Sequence, residues 1–142
     1  MKQRTIIDTS TLVSAALRAD SKPRLALKKA IEFYELCLSE ETLSELEIVL
    51  ARPQFAKYAS WETFRAFIES VRADGILFSI SVSDLAAVEP TCRDPKDNVF
   101  LALAAVSGTG IIVSSDQDLL VLNPWNGIPI LSPAQFLAQA EI

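Results

Sequence analysis

The sequence predicts an α/β domain with a central, mostly parallel five-stranded sheet and helices on both faces. Three observations carry this. Short runs rich in β-branched and apolar residues ("RTII", "ELCLS", "ILFSISV", "IIVSS", "IPIL") alternate with stretches of helical periodicity. Parallel neighbours need a crossover of this kind, and helices serving as crossovers cover both faces of the sheet. The length of 142 residues, half of them apolar, suits one domain with one substantial core, with no linker or repeat to divide residues 1–142.

Taken in order, "RTII" ends at Asp8 and is followed by helix-compatible "TLVSAALRA". Ser21 and Pro23 form a cap and first turn for "RLALKKAIEFY". "ELCLS" is a second strand, and Ser39 caps a helix over "EETLSELEIVLA", whose apolar stripe is Leu43, Leu46, Val49 and Leu50. Arg52 and Pro53 end it. Trp61, Phe64, Ile68 and Val71 then fall at helical spacing, which predicts a core-facing stripe, and Gly75 suits the stop. "ILFSISV" reads as a third strand, followed by a loop to Pro95 and a helix over "KDNVFLALAAVS". "IIVSS" is the fourth strand, "DLLVL" a short helix and "NPWNG" a loop. "IPIL" is an edge strand because Pro129 cannot donate to a ladder, and Ser132 and Pro133 start the last helix over "AQFLAQ".

Composition removes several functional classes. The chain has no histidine, which excludes a Ser-His-Asp or Cys-His engine and every His-ligated metal site. Its two cysteines, Cys37 and Cys92, fit no metal-ligand spacing and read as reduced, core-facing thiols. No apolar stretch is long enough to span a bilayer and the N-terminal run is interrupted by Asp8, so a cytoplasmic protein is expected. A net charge of −5 argues against a protein that coats nucleic acid nonspecifically. The charge is uneven, however. Arg18, Lys22, Arg24, Lys28 and Lys29 crowd one short region, and no Lys or Arg follows Lys96.

Carboxylates are therefore the available chemical tools. In an open parallel sheet, ligands sit beyond the carboxyl ends of the strands. Asp8 ends the first strand, Asp116 ends the fourth, and Asp97 opens the helix preceding the fourth, so all three can share one edge. Acids gathered there repel one another unless a hard divalent cation such as Mg²⁺ or Mn²⁺ neutralises them. The helix after the second strand offers a fourth acid. Glu41 and Glu45 share a face, while Glu45 and Glu47 flank the apolar stripe about equally, so periodicity leaves the choice open. Each acid also has a plain structural reading as a helix cap or turn residue.

Four stretches in order, "IIDTSTLVSAAL", "SEETLSELEIVLARPQF", "RDPKDNVFLALA" and "IIVSSDQDLLVL", resemble the successive motifs of PIN-domain proteins, particularly toxin components of type II toxin–antitoxin pairs. The resemblance runs from about Ile6 to Leu137. It implies a three-layer α/β/α domain acting as a Mg²⁺- or Mn²⁺-dependent ribonuclease. The implied catalytic acids and metal ligands are Asp8, Glu45, Asp97 and Asp116, which selects Glu45 over Glu47. Asp118 matches a frequent additional acid.

Two positions depart from the family pattern. Ser10 stands where Asn is common, and Ser114-Ser115 where Thr or Ser followed by Gly is common. Ser10 and Ser114 can still hydrogen-bond a carboxylate or phosphate, whereas Ser115 lacks the backbone freedom of Gly, which predicts a tighter or shifted turn at Asp116. The resemblance further implies a cognate antitoxin and a homodimer. Arg18, Lys22, Arg24 and Lys28 are the candidate RNA-binding residues. The rival reading is an inactive PIN-fold binding module working through its antitoxin complex. Aspartyl phosphatases and phospho-receiver modules are disfavoured, because Ser10 replaces the second Asp of the former and the Lys of the latter is missing after Lys96.

Overall fold

The computed structural model describes residues 2–140. Five strands run parallel in the order β3-β2-β1-β4-β5. They are β1 (Arg4–Ile7), β2 (Glu35–Ser39), β3 (Ile76–Phe78), β4 (Ile111–Val113) and β5 (Ile130–Leu131). Eight helices connect and flank them: α1 (Thr9–Leu17), α2 (Lys22–Phe33), α3 (Glu40–Leu50), α4 (Trp61–Asp74), α5 (Val82–Ala86), α6 (Asn98–Ser107), α7 (Gln117–Leu120) and α8 (Pro133–Ala138). The result is a three-layer α/β/α fold with an all-parallel sheet.

Strand alternation divides the core between the two faces. Ile7, Leu36, Leu38, Ile111 and Val113 pack on one face under α1, α2, α3, α4 and α8, around Leu46, Phe64 and Phe136. Ile6, Cys37, Ile112 and Ile130 point the other way, onto Phe100, Leu101 and Leu103 of α6, Leu119 of α7 and Trp125. α6 is apolar nearly all round, as a helix buried between sheet and neighbours must be. It stops at Gly108, whose φ of 67° is the left-handed conformation that glycine adopts without strain.

Local capping chemistry sets most element starts. Ser21, Ser39, Ser60 and Ser132 each accept a backbone N–H from the first turn of the following helix. Part of the basic cluster serves the fold. Buried Lys29 donates to the carbonyls of Phe136 (2.7 Å) and Gln139 (2.5 Å), tying α2 to α8. Arg24 donates to the Ala15 carbonyl (2.8 Å) and lies over the Phe67 ring.

Two expectations need correction. The third strand ends at Phe78 rather than Val82, because Ser81 and Asp84 form a reciprocal cap that starts α5, a helix the apolar run concealed. Trp61 keeps helical spacing with Phe64, Ile68 and Val71 but is 38 % exposed, since it sits at the first position of α4, beyond the layer that covers the other three. Trp125, in the loop, is the buried tryptophan and donates Nε1–H to the Pro90 carbonyl. Among the described residues no helix is long and apolar enough to cross a membrane.

Candidate active site

The strand order reverses between β1 and β4, and the chain ends of these two strands form the crevice where open parallel sheets place ligands. Asp8 leaves β1 there, its N–H bonded to the Val113 carbonyl at 3.1 Å. Its carboxylate, 2 % exposed, caps α1 through Thr11 N (3.0 Å) and accepts from Ser114 Oγ (2.5 Å) and Ser10 Oγ (3.2 Å). Burial pushes the Asp8 carboxyl above its ordinary range, and these donors work against that shift. Ser114 Oγ also accepts the Asp116 N–H at 2.9 Å, so one buried hydroxyl aligns the acids of both strand ends.

Asp116 caps α7 through Asp118 N (2.9 Å), and Asp94 caps the 3-10 turn of Pro95–Asp97 through Lys96 N (3.1 Å). Asp97 differs from these caps. It precedes α6 but its side chain makes no capping bond. Burial and then the adjoining Asp116 carboxylate push Asp97 up to about 7, with Asp94 and Asp8 adding to the repulsion. Glu45 reaches the same space from the middle of α3. Burial raises its pKa, opposed by Thr9 and by the charge of Lys96.

Asp8, Glu45, Asp97 and Asp116 together line one cavity of about 310 Å³, with Asp94, Arg52 and Lys96 in the same lining. Glu41 and Glu47 are exposed outside it. Ser10 lies in the cavity wall, whereas Ser114 sits behind Asp8. Asp118 is outside the lining and faces Arg93 at 3.6 Å. Ser115 has no positive φ and its hydroxyl pairs with Thr11 Oγ1 at 3.0 Å, so the turn to Asp116 makes no use of glycine's freedom.

The cations at this cavity are not those of the basic cluster. Arg18, Lys22 and Lys28 are exposed but line no part of it, and Arg24 is held against α1 and Phe67. Arg52 and Lys96 are the basic residues in the lining, and the sequence marked them only as a helix end and as the last cation of the chain. A signal for Arg52 existed. Glu45, Val49 and Arg52 stand at i, i+4 and i+7, and all three line the cavity.

The donor set suits a hard divalent cation: carboxylates and hydroxyls, with no imidazole or thiolate in the lining. Thr9 Oγ1 adds to this fit. It is the one buried side-chain polar atom among the described residues without a completed hydrogen bond, and it belongs to the cavity lining. Among the described residues no three acidic or sulfur side chains are drawn together tightly enough to hold an ion on their own.

A family model described as the PIN domain matches residues 4–118. The crystal structure of PAE2754 from Pyrobaculum aerophilum is similar in fold, with a TM-score of 0.60 and 15 % sequence identity over 96 % of this chain and 91 % of that one. No curated protein matches.

Proposed function

The chain belongs to the PIN domain family, whose members are in general metal-dependent nucleases, and from that premise we propose that it is a Mg²⁺- or Mn²⁺-dependent endoribonuclease. One observation carries the reading: Asp8, Glu45, Asp97 and Asp116, distant in sequence, line a single cavity at the switch point of the sheet. Structural caps alone explain Asp8 and Asp116 but leave Asp97 unexplained. It lies against another carboxylate at an electrostatic cost and makes no capping bond.

In this reading Asp97 and Asp116 are the direct ligands, with Asp8 completing the set. When bound, the cation neutralises developing charge on the phosphate and makes a bound water easier to ionise. The chain's own groups do the rest. Ser114, Ser10 and the Thr11 N–H hold Asp8 in one rotamer, so the acceptor is in place before substrate arrives. Glu45, its pKa raised by burial, is suited to take a proton from the attacking water. Lys96 and Arg52 meet the phosphate's charge at the rim. Attack on phosphorus with departure of the 3′-oxygen leaves a 5′-phosphate and a 3′-hydroxyl.

The biological setting belongs to the same proposal: the whole chain acts as one cytoplasmic domain, the toxin of a toxin–antitoxin pair, as a homodimer restrained by a cognate antitoxin. Exposed Ile76 and Leu77 on edge strand β3, with Val82 and Leu85 of α5, offer apolar surface for such protein contacts. The test is cleavage of total cellular RNA and purified tRNA by the native protein and Asp97→Asn, with Mn²⁺, Mg²⁺ or chelator. Metal-dependent cuts bearing 5′-phosphates, absent in the variant, are expected. A folded, metal-supplied native protein that makes no cuts would overturn the reading.

A further inference from the structure

Beside the acidic cavity lies a second, more apolar groove of about 400 Å³ between the end of α3 and the start of α4. Leu50 and Phe64 are buried beneath it, Ala51, Ala56 and Ala59 leave it shallow-walled, and Trp61 presents a partly exposed indole at its edge. Arg52 lines both spaces. It is exposed and makes no ion pair or side-chain hydrogen bond among the described residues, even though carboxylates share its cavity.

We propose that this groove is a nucleotide subsite: Arg52 holds a phosphate of the RNA strand while the adjoining, unpaired base enters the groove and stacks on Trp61. The inference rests on the ribonuclease reading and adds to it a position that binds one base of the strand. The occupant follows from the groove's neighbours. A nucleotide joins an anion to a planar apolar ring, and the groove joins an uncommitted guanidinium to an aromatic face and small apolar walls. Its continuity with the acidic cavity through Arg52 puts the base next to the phosphate at the proposed catalytic acids. A base within a duplex keeps its faces stacked on its neighbours and cannot enter. With a net charge of −5, the chain gains little from a long phosphate track, so stacking plus one or two local cations is the economical way to hold a strand.

The experiment uses full-length protein in Ca²⁺, to limit turnover, and a short oligoribonucleotide without secondary structure. Intrinsic tryptophan fluorescence reads binding, because Trp61 is accessible and Trp125 is 3 % exposed. Quenching of the native protein but not of Trp61→Phe is expected, with binding by Trp61→Ala about 5- to 150-fold weaker, the range spanned by one base–aromatic stack. Arg52→Gln is expected to flatten the slope of log affinity against log salt by about 0.7, the signature of one phosphate contact on a single strand. Circular dichroism verifies that the variants fold. RNA cleavage in Mg²⁺ with no Trp61-dependent quenching would overturn the subsite and leave the nuclease reading standing. Quenching without cleavage would support the subsite and overturn the nuclease reading. Quenching by an amphipathic peptide or by duplex RNA, but not by the single strand, would overturn the subsite.

Discussion

Replacing Asp97 with Asn should make the metal-free protein more stable while destroying its activity. In the unfolded chain this carboxyl titrates near 3.8, and in the folded protein at about 7. Well below pH 3.8 it is protonated in both states and contributes nothing. Between 3.8 and 7 the unfolded state ionises first, so stability falls as pH rises, and the penalty is complete above 7. A separation of about three pKa units corresponds to at most about 4 kcal/mol. Partial exposure screens the repulsion and Asp116 shares it, which reduces the figure to about 1–2 kcal/mol.

Asn keeps the volume and removes the charge. For a domain of this size the gain is a rise in Tm of roughly 3–6 °C. Thermal unfolding followed by circular dichroism, in chelator at pH 8 and again at pH 4.5, reads it directly: Asp97→Asn melts above the native protein at pH 8, and the gap narrows at pH 4.5. Mg²⁺ should reverse the order at pH 8 by stabilising the native protein alone, since a bound cation neutralises the pair that the variant lacks. An Asp97→Asn protein that melts at or below the native one in chelator at pH 8 would refute the electrostatic account of the site.

Two further outcomes follow from the same geometry. Ser114→Ala removes the donor to Asp8 and the acceptor of the Asp116 N–H, both on a fully buried hydroxyl, and should cost about 1–3 kcal/mol in urea unfolding at pH 7. The loss shrinks in acid, because Asp8 loses a donor that held its pKa down; an unchanged midpoint would remove Ser114 from the site's support. Arg24→Ala should cost about 1–2 kcal/mol through the lost Ala15 carbonyl bond and Phe67 contact, with the salt dependence of RNA cleavage unaltered. A flattened salt slope in that variant would instead assign Arg24 to the phosphate track expected from the basic cluster.

Much of the fold is legible in local sequence because its punctuation is local. Ser39 before "EETL", Ser21 before "KP" and Ser132 before "PAQ" each start a helix by capping chemistry that needs only the next three residues. The alternation of Ile6 and Ile7, or of Leu36, Cys37 and Leu38, foretells a sheet covered on both sides. Local reading fails where coverage matters. "ILFSISV" keeps the composition of a strand to Val82, yet β3 has a neighbour on only one side and yields at once to the Ser81–Asp84 cap. Trp61 has the spacing of a core residue, but nothing in spacing tells how far the covering layer extends.

By itself, then, the sequence determined the α/β layering, the exclusion of histidine chemistry, and an arrangement in which the strand-end acids Asp8 and Asp116 and the helix-start acid Asp97 can share one sheet edge. Tertiary structure decided what faces what. It turned Glu45 into the cavity and left Glu41 and Glu47 outside, a choice that helical periodicity cannot make for residues flanking an apolar stripe. It drew Lys29 and Arg24 into structural bonds with distant carbonyls and carried Arg52 and Lys96 to the acidic cavity in their place. A charge run states only how many cations are present. Which of them reach a phosphate depends on how α1, α2 and α3 pack, and therefore on contacts between residues far apart in the chain.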